Sequence, residues 1–320
     1  MQYVAQQDYP RELIEHLVVD GGSTDGTLDV AREYGARVLS HPEWSHNQEA
    51  RHGIGALEAR NEVVVYLDSD NFLTSSSWLK KMVHPLLDDS EIIASQTLRY
   101  GVRPGDPLLT RYYGLLGAND PVAYYLNKRD RISWAEDKWH LSGLEVDKAD
   151  YFKVRFTEQN LPTVGMNGFL IWRNILLKGD CRPHAFVHMD VQMDLIRLGY
   201  TCYGIVKNDI VHYTGRGLVP SLTRRVAYWR TFEDVVGDCK RYYVFDKHRK
   251  RDWLNLAKYV LYSATLVKPL WDAMRGFRKR RDWAWFLHPV VCFGTMIAYG
   301  AGLMWTASRK LRRALLRRQS

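Results

Sequence analysis

Leu17-Val18-Val19-Asp20 opens into Gly21-Gly22-Ser23-Thr24-Asp25-Gly26-Thr27, and downstream Val63-Val64-Val65-Tyr66-Leu67-Asp68-Ser69-Asp70 is a second apolar run that closes in acid. Runs of β-branched residues without polar alternation suit parallel strands covered on both faces, and in open α/β sheets ligands bind beyond the carboxyl ends of such strands. Both acidic endings are therefore expected at one crevice. In an extended backbone the two-residue period puts Asp68 and Asp70 on the same side, where their carboxylates could hold a hard divalent cation. That geometry suits a bound diphosphate.

The surrounding pattern predicts an α/β fold. A helix is expected from about Gly26 to Tyr34, with Ser23, Thr24 and Asp25 as candidate caps and Gly35 as its stop, followed by a strand over 36–39. That βαβ unit implies parallel pairing with a right-handed crossover. Further helices are predicted over 49–61, 78–87 and 191–198, and strands over 92–98 and 203–211, the last delivering His212. From Tyr100 to about Thr163 the pattern is irregular and rich in Tyr, Trp, Pro, Asp and Arg.

Charge divides the chain. Residues 1–220 carry 23 Lys and Arg against 29 Asp and Glu, whereas 221–320 carry 22 against 7, so a net −6 is joined to a net +15. This predicts a catalytic domain over 1–220 and a basic helical region over 221–320. The basic excess lies among apolar stretches, which argues for a membrane surface and against nucleic acid. Residues 253–271 read as an interfacial amphipathic helix. Arg275, Arg278, Lys279, Arg280 and Arg281 then form a cationic cluster, and residues 283–305 contain no Asp, Glu, Lys or Arg. That stretch is long enough to cross a bilayer. Basic residues flank it on both sides and prefer the cytoplasmic face, which favours a re-entrant or in-plane arrangement over a single span. A buried hairpin of a soluble domain is the competing account. Cys181, Cys202, Cys239 and Cys292 are widely spaced and read as reduced packing residues, and no signal peptide is visible, so the catalytic part is expected at the cytoplasmic face of the membrane.

Gln6-Gln7-Asp8-Tyr9-Pro10, the Val19-to-Thr27 segment, the Asp68-Ser69-Asp70 triplet, His188-Met189-Asp190 and Arg197-Leu198-Gly199-Tyr200 stand in the order and at the separations of the family 2 glycosyltransferases of the GT-A fold, which this chain resembles over about its first two thirds. The resemblance implies a Rossmann-like, mostly parallel sheet flanked by helices, with 100–163 as the acceptor-side insertion. It also implies transfer of a sugar from a nucleotide-diphosphate donor. On it, Asp20 reaches the nucleotide, although Gly21 stands where many members carry a second acid. Arg51 matches a position near the diphosphate; a surface helical arginine accounts for it equally.

Asp68 and Asp70 match the family's D-x-D, with Asp70 ligating Mn²⁺ or Mg²⁺ and Asp68 touching metal or ribose. His212 matches a third-ligand position in some members, and a structural histidine at a strand end is an equal account. Asp190 is the expected general base of an inverting transfer, with helix capping as its structural alternative. The expected acceptor is lipid-linked or a polyprenyl phosphate, whose charge Arg216, Arg224, Arg225 and Arg230 could hold. Met1 falls almost at the Gln-x-Tyr-Pro segment, past the family's central first strand. The chain is therefore expected to be a shortened form of the natural protein or to have an upstream start, with two unpaired strand edges and an incomplete nucleotide pocket. A catalytically inactive membrane-bound scaffold of the same fold is the alternative function.

Overall fold

The computed structural model describes residues 1–139, 141–236 and 240–319, the side chains of 228–236 and 310–319 excepted. Nine strands occur in it: β1 (Leu17–Asp20), β2 (Arg37–Ser40), β3 (Val63–Tyr66), β4 (Asn71–Leu73), β5 (Ala94–Tyr100), β6 (Leu144–Asp147), β7 (Tyr151–Arg155), β8 (Phe169–Trp172) and β9 (Cys202–His212). The α-helices are α1 (Gln2–Ala5), α2 (Thr27–Glu33), α3 (Gln48–Glu58), α4 (Trp78–Asp88), α5 (Leu108–Leu116), α6 (Pro121–Tyr125), α7 (Arg173–Leu176), α8 (His188–Arg197), α9 (Leu218–Val236), α10 (Lys250–Thr265), α11 (Val267–Lys279) and α12 (His288–Gln319).

β1 and β2 pair in parallel around α2, as the βαβ reading predicts. The remaining strands form a seven-stranded sheet in the order β3-β8-β5-β9-β7-β6, with β4 added to β9. That sheet is mixed. Only β5–β9 is parallel within it, and β3–β8, β5–β8, β7–β9, β6–β7 and β4–β9 are antiparallel. Unbroken apolar runs report coverage of both faces and carry no information on direction. In β8, Phe169 and Ile171 enter the core beneath α8 while Leu170 enters the core beneath α4, so three successive positions are buried in an antiparallel strand. Gln7 ties the N-terminal segment to the start of α4, donating to the Ser75 carbonyl and accepting from the Leu79 N–H.

Among the described residues β1 pairs only with β2, and β3 only with β8. Their remaining edges face a slot of about 1180 Å³ lined by both strands, α3 and the N-terminal residues.

The region 100–163 is more ordered than its composition suggests. It holds α5, α6 and the β6–β7 hairpin, and Leu109, Tyr112, Leu115 and Leu116 share one core with Ala273, Ala284, Trp285 and Val291 of the C-terminal region. Tyr112 and Tyr125 bond the two ring nitrogens of buried His288 at 2.8 and 3.1 Å, and Tyr125 also donates to Asp272. The basic region is thus fixed to the insertion. Cys181, Cys202 and Cys292 are free and buried; Cys239 lies outside the described residues, as do the side chains of Arg230 and of the cations beyond Arg309.

The outward faces of these helices invert the usual pattern. α10 buries Asp252, Tyr259 and Ser263 and exposes Trp253, Leu254, Val260 and Leu261; α11 buries Asp272 and exposes Val267, Leu270 and Trp271. On α12, Val290, Phe293, Ile297 and Met304 follow helical spacing along one exposed side, while Val291, Cys292, Thr295 and Ala298 are buried. The segment Trp283–Arg309 is long and apolar enough to cross a membrane.

Candidate active site

Asp20 closes β1, and the glycines after it let the chain turn back over its side chain. Oδ2 accepts the N–H groups of Gly22 and Ser23 at 2.6 and 2.8 Å, and Oδ1 accepts the Ser23 hydroxyl. Burial pushes its pKa up, but those bonds and the Arg51 charge outweigh it and hold the group below the usual carboxylate range. Arg51, on α3, donates one nitrogen to the carbonyls of Trp44 and Ser45 at 2.6 and 3.0 Å. That nitrogen lies 2.8 Å from where a Cβ on Gly21 would stand. A side chain at position 21 would therefore meet the arginine. Asp20, Arg51 and Asp68 all line the slot between β1 and β3.

The two acids after β3 have separate surroundings. Asp68 Oδ1 accepts from Gln48 Nε2 at 2.7 Å and lies 3.0 Å from His52 Nε2. Burial pushes Asp68 up, and the His52 hydrogen bond and charge, with Gln48 and His212, bring it below its usual value. Asp70 is 41% exposed, and its Oδ2 lies 3.4 Å from Nε2 of His212. Pairing of β4 with β9 sets Asn71 opposite His212, and the Tyr213 N–H donates to the Asp70 carbonyl, so the register brings these two side chains together.

Behind Asp70 runs a relay absent from the sequence reading. Asn71 donates to Asp70 Oδ1 at 3.1 Å and to Asn167 Oδ1 at 3.0 Å. Asn167 is a non-glycine residue at φ 55°, and its carbonyl accepts from the fully buried Arg131, which also pairs with Asp130 at 2.7 Å.

α3 also carries Glu49, whose Oε1 lies 2.7 Å from His188 Nδ1 while Oε2 accepts the His188 N–H at 3.0 Å. Burial opposes both charges, and their mutual attraction prevails: Glu49 is held below its usual pKa and His188 above. Gln48, Glu49 and His52 are not singled out in the sequence; the signal available for them is the i, i+4 pair Gln48–His52 ahead of an acid-ended strand.

Asp190 sits in the first turn of α8 and is buried. Its Oδ1 accepts the N–H groups of Arg241 and Tyr242 at 3.0 and 2.6 Å, while Oδ2 is buried with no hydrogen-bond partner among the described residues. Burial raises its pKa, a shift the backbone bonds and neighbouring cations oppose. Asp190, Asp70 and His212 are not among the residues lining the slot. Arg225 is spent on Asp120 and the Asn119 carbonyl, whereas Arg216 and Arg224 are exposed.

Among the described residues no group of three His, Cys, Asp or Glu could enclose a metal. Two adjacent ligands about 2.1 Å from an ion stand roughly 3 Å apart, so the Asp70–His212 separation fits a cation completed by a diphosphate and water. Such a two-ligand seat is how hard cations are commonly held beside phosphates.

A model of glycosyl transferase family 2 matches residues 2–162. Among solved structures, residues 1–349 of TarS from S. aureus are 13% identical, with 93% of this chain and 83% of that one covered at a TM-score of 0.46. Glucosyl-3-phosphoglycerate synthase from Mycobacterium tuberculosis, in complex with Mn²⁺ and UDP-glucose, is 19% identical, with 68% and 67% covered at a TM-score of 0.40. A mycobacterial protein is 18% identical at a TM-score of 0.42, and this chain spans 64% of its length. No curated protein matches the sequence significantly.

Proposed function

Because the chain belongs to glycosyl transferase family 2, we propose that it is an inverting, metal-dependent glycosyltransferase that moves a hexosyl unit from a nucleoside-diphosphate donor to a lipid-linked or polyprenyl-phosphate acceptor at the cytoplasmic face of the membrane. The observation that carries the reading is the meeting of Asp70 and His212 at the strand ends, beside a slot closed by Asp20, Arg51 and Asp68. Asp70 and His212 would hold Mn²⁺ or Mg²⁺, which when bound would supply positive charge for the departing diphosphate. Asp68, tied to α3, orients the ribose side of the donor, and Asp20 shapes the loop against which the nucleotide lies.

The acceptor oxygen attacks the anomeric carbon from the face opposite the leaving group, the glycosidic bond forms as the bond to the diphosphate breaks, and configuration inverts. With a hydroxyl acceptor, Asp190 Oδ2 takes the proton, and its raised pKa suits it to general-base work. A phosphate acceptor is already ionised, and Asp190 then positions it. The apolar outward faces of α10, α11 and α12 support a bilayer as the acceptor's source.

The test is release of nucleoside diphosphate from a panel of UDP- and GDP-sugars by the full chain with a lipid extract and Mn²⁺. Turnover abolished by Asp70→Ala is expected. Nucleotide binding without turnover of any donor would favour the inactive scaffold.

A further inference from the structure

A second, smaller cavity opens where the apolar helix begins. It measures about 290 Å³ and lies between the Val102–Pro104 loop and the Arg280–Trp283 segment. Three guanidinium groups line it, from Arg111, Arg280 and Arg281, against one carboxylate, Asp282. Arg111 takes that carboxylate at 3.2 Å and donates to the Pro104 carbonyl at 2.7 Å, while its buried Nε has no partner among the described residues. Arg280 lies 3.8 Å over the Trp134 ring and donates to the Val102 carbonyl at 3.1 Å. Both are held in place by the fold. Arg281 is exposed and makes no hydrogen bond or ion pair among the described residues. Three cations against one anion leave the cavity doubly positive.

We propose that this cavity binds the phosphate of an anionic glycerophospholipid headgroup. The inference deepens the membrane reading above and rests on it. Its volume is below the usual range of nucleotide or drug-sized sites and suits a phosphate ester. Fixed guanidinium donors match phosphate geometry. Trp283, 71% exposed, stands at the mouth and packs with Phe277 and Phe286, an aromatic cluster of the kind that settles at headgroup depth. The exposed apolar side of α12 begins at Val290 and Phe293, a few residues after Trp283, and would carry the acyl chains. A diffuse cationic surface would attract acidic lipids without any such arrangement.

The two accounts separate by position. Arg278 is exposed on α11 and does not line the cavity. Binding of the full chain is measured by co-sedimentation with vesicles of phosphatidylcholine alone and of phosphatidylcholine with phosphatidylglycerol. Arg278→Gln is expected to weaken binding to the acidic vesicles about fivefold, the share of any juxtamembrane cation. Arg281→Gln is expected to weaken it at least tenfold, the loss of a charge-assisted bond, with binding to neutral vesicles unchanged for both. Equal losses for the two variants overturn the cavity. Binding to neutral vesicles with no preference for acidic ones also overturns it and leaves the membrane reading standing, whereas binding to neither overturns that reading. Tight calorimetric binding of sn-glycerol 3-phosphate or inorganic phosphate, without preference for acidic vesicles, would make free phosphate the ligand and overturn the lipid assignment.

Discussion

Replacing Glu49 by Gln tests whether α3 is anchored by charge. Each partner of the Glu49–His188 pair is 18% exposed, and the carboxylate makes two contacts, at 2.7 Å to the ring and 3.0 Å to the backbone N–H. Glutamine keeps the shape and the acceptor oxygen but removes the charge. Breaking one side of a buried pair costs about 3–5 kcal/mol. With an unfolding entropy of about 2.1 cal/mol/K per residue, a chain of 320 residues loses roughly 4–7 °C of apparent midpoint. The pH dependence is more discriminating. His188 has a folded pKa above its ordinary 6.5, so its contribution is complete below pH 6.5 and is lost as pH rises through the folded value. Glu49 lies below its ordinary 4.5, so its contribution is complete above pH 4.5 and is lost as pH falls through the folded value. The pair therefore stabilises most between pH 4.5 and 6.5. Differential scanning fluorimetry in detergent at pH 6 and pH 9 should give a midpoint difference between wild type and Glu49→Gln that is large at pH 6 and shrinks at pH 9. A difference that is constant across this range, or below 1 °C throughout, would refute the charged pair.

Asp70→Asn and His212→Gln should each weaken Mn²⁺ binding in the presence of UDP by tenfold or more, read by electron paramagnetic resonance of the free ion, while His52→Gln, one contact removed, should weaken it less. Asp190 does not cap α8, whose N-cap is Val187, and instead holds the Arg241–Tyr242 backbone; Asp190→Asn should lower kcat by about 10²–10⁴ with a hydroxyl acceptor and leave donor KM nearly unchanged, whereas a purely structural role in holding that backbone would show instead as a lowered unfolding midpoint. Gly21→Ala places a methyl 2.8 Å from a pinned guanidinium nitrogen and should destabilise by about 1–2 kcal/mol in urea unfolding. In the Arg51→Ala background the same change should cost measurably less, and an unchanged cost would show that the clash is not the cause.

The parts of the site that were legible in the sequence are those fixed by strand ends. Asp20, Asp68 and Asp70 follow apolar runs, and a run buried on both faces has to surface where its acid begins. The βαβ pairing of β1 with β2 was equally legible, because a short helix between two strands leaves little topological choice. Strand direction in the larger sheet was not, since β8 arrives after a long excursion and inserts antiparallel between β3 and β5. The helices of 100–163 were hidden because they are stabilised by the C-terminal region, and their buried tyrosines resemble a loop's composition. Inward-facing polar residues on α3 escaped for a different reason: Gln48, Glu49 and His52 have the same spacing as a solvated face, and only tertiary partners distinguish them.

The arrangement around the two neighbouring acids explains why one triplet can serve two ends. Asp68 Oδ1 is engaged by α3 through Gln48 and His52, so that oxygen could enter a cation's coordination sphere only by giving up two hydrogen bonds, which leaves Oδ2 as the oxygen of Asp68 open to the donor. Asp70 is braced from behind through Asn71 and Asn167 to Arg131, yet Oδ2 points toward His212 with 41% of the side chain still open. Bracing one oxygen while leaving the other available lowers the ordering cost of binding without consuming the ligand. The strained φ of Asn167 fits this account, because a left-handed non-glycine residue persists only where its surroundings hold it. Asn167→Gly should relieve that strain while removing the bond to Asn71, so it should leave the unfolding midpoint nearly unchanged but weaken Mn²⁺ affinity with UDP present. A variant that loses neither would mean that Asp70 is held by β4–β9 pairing alone.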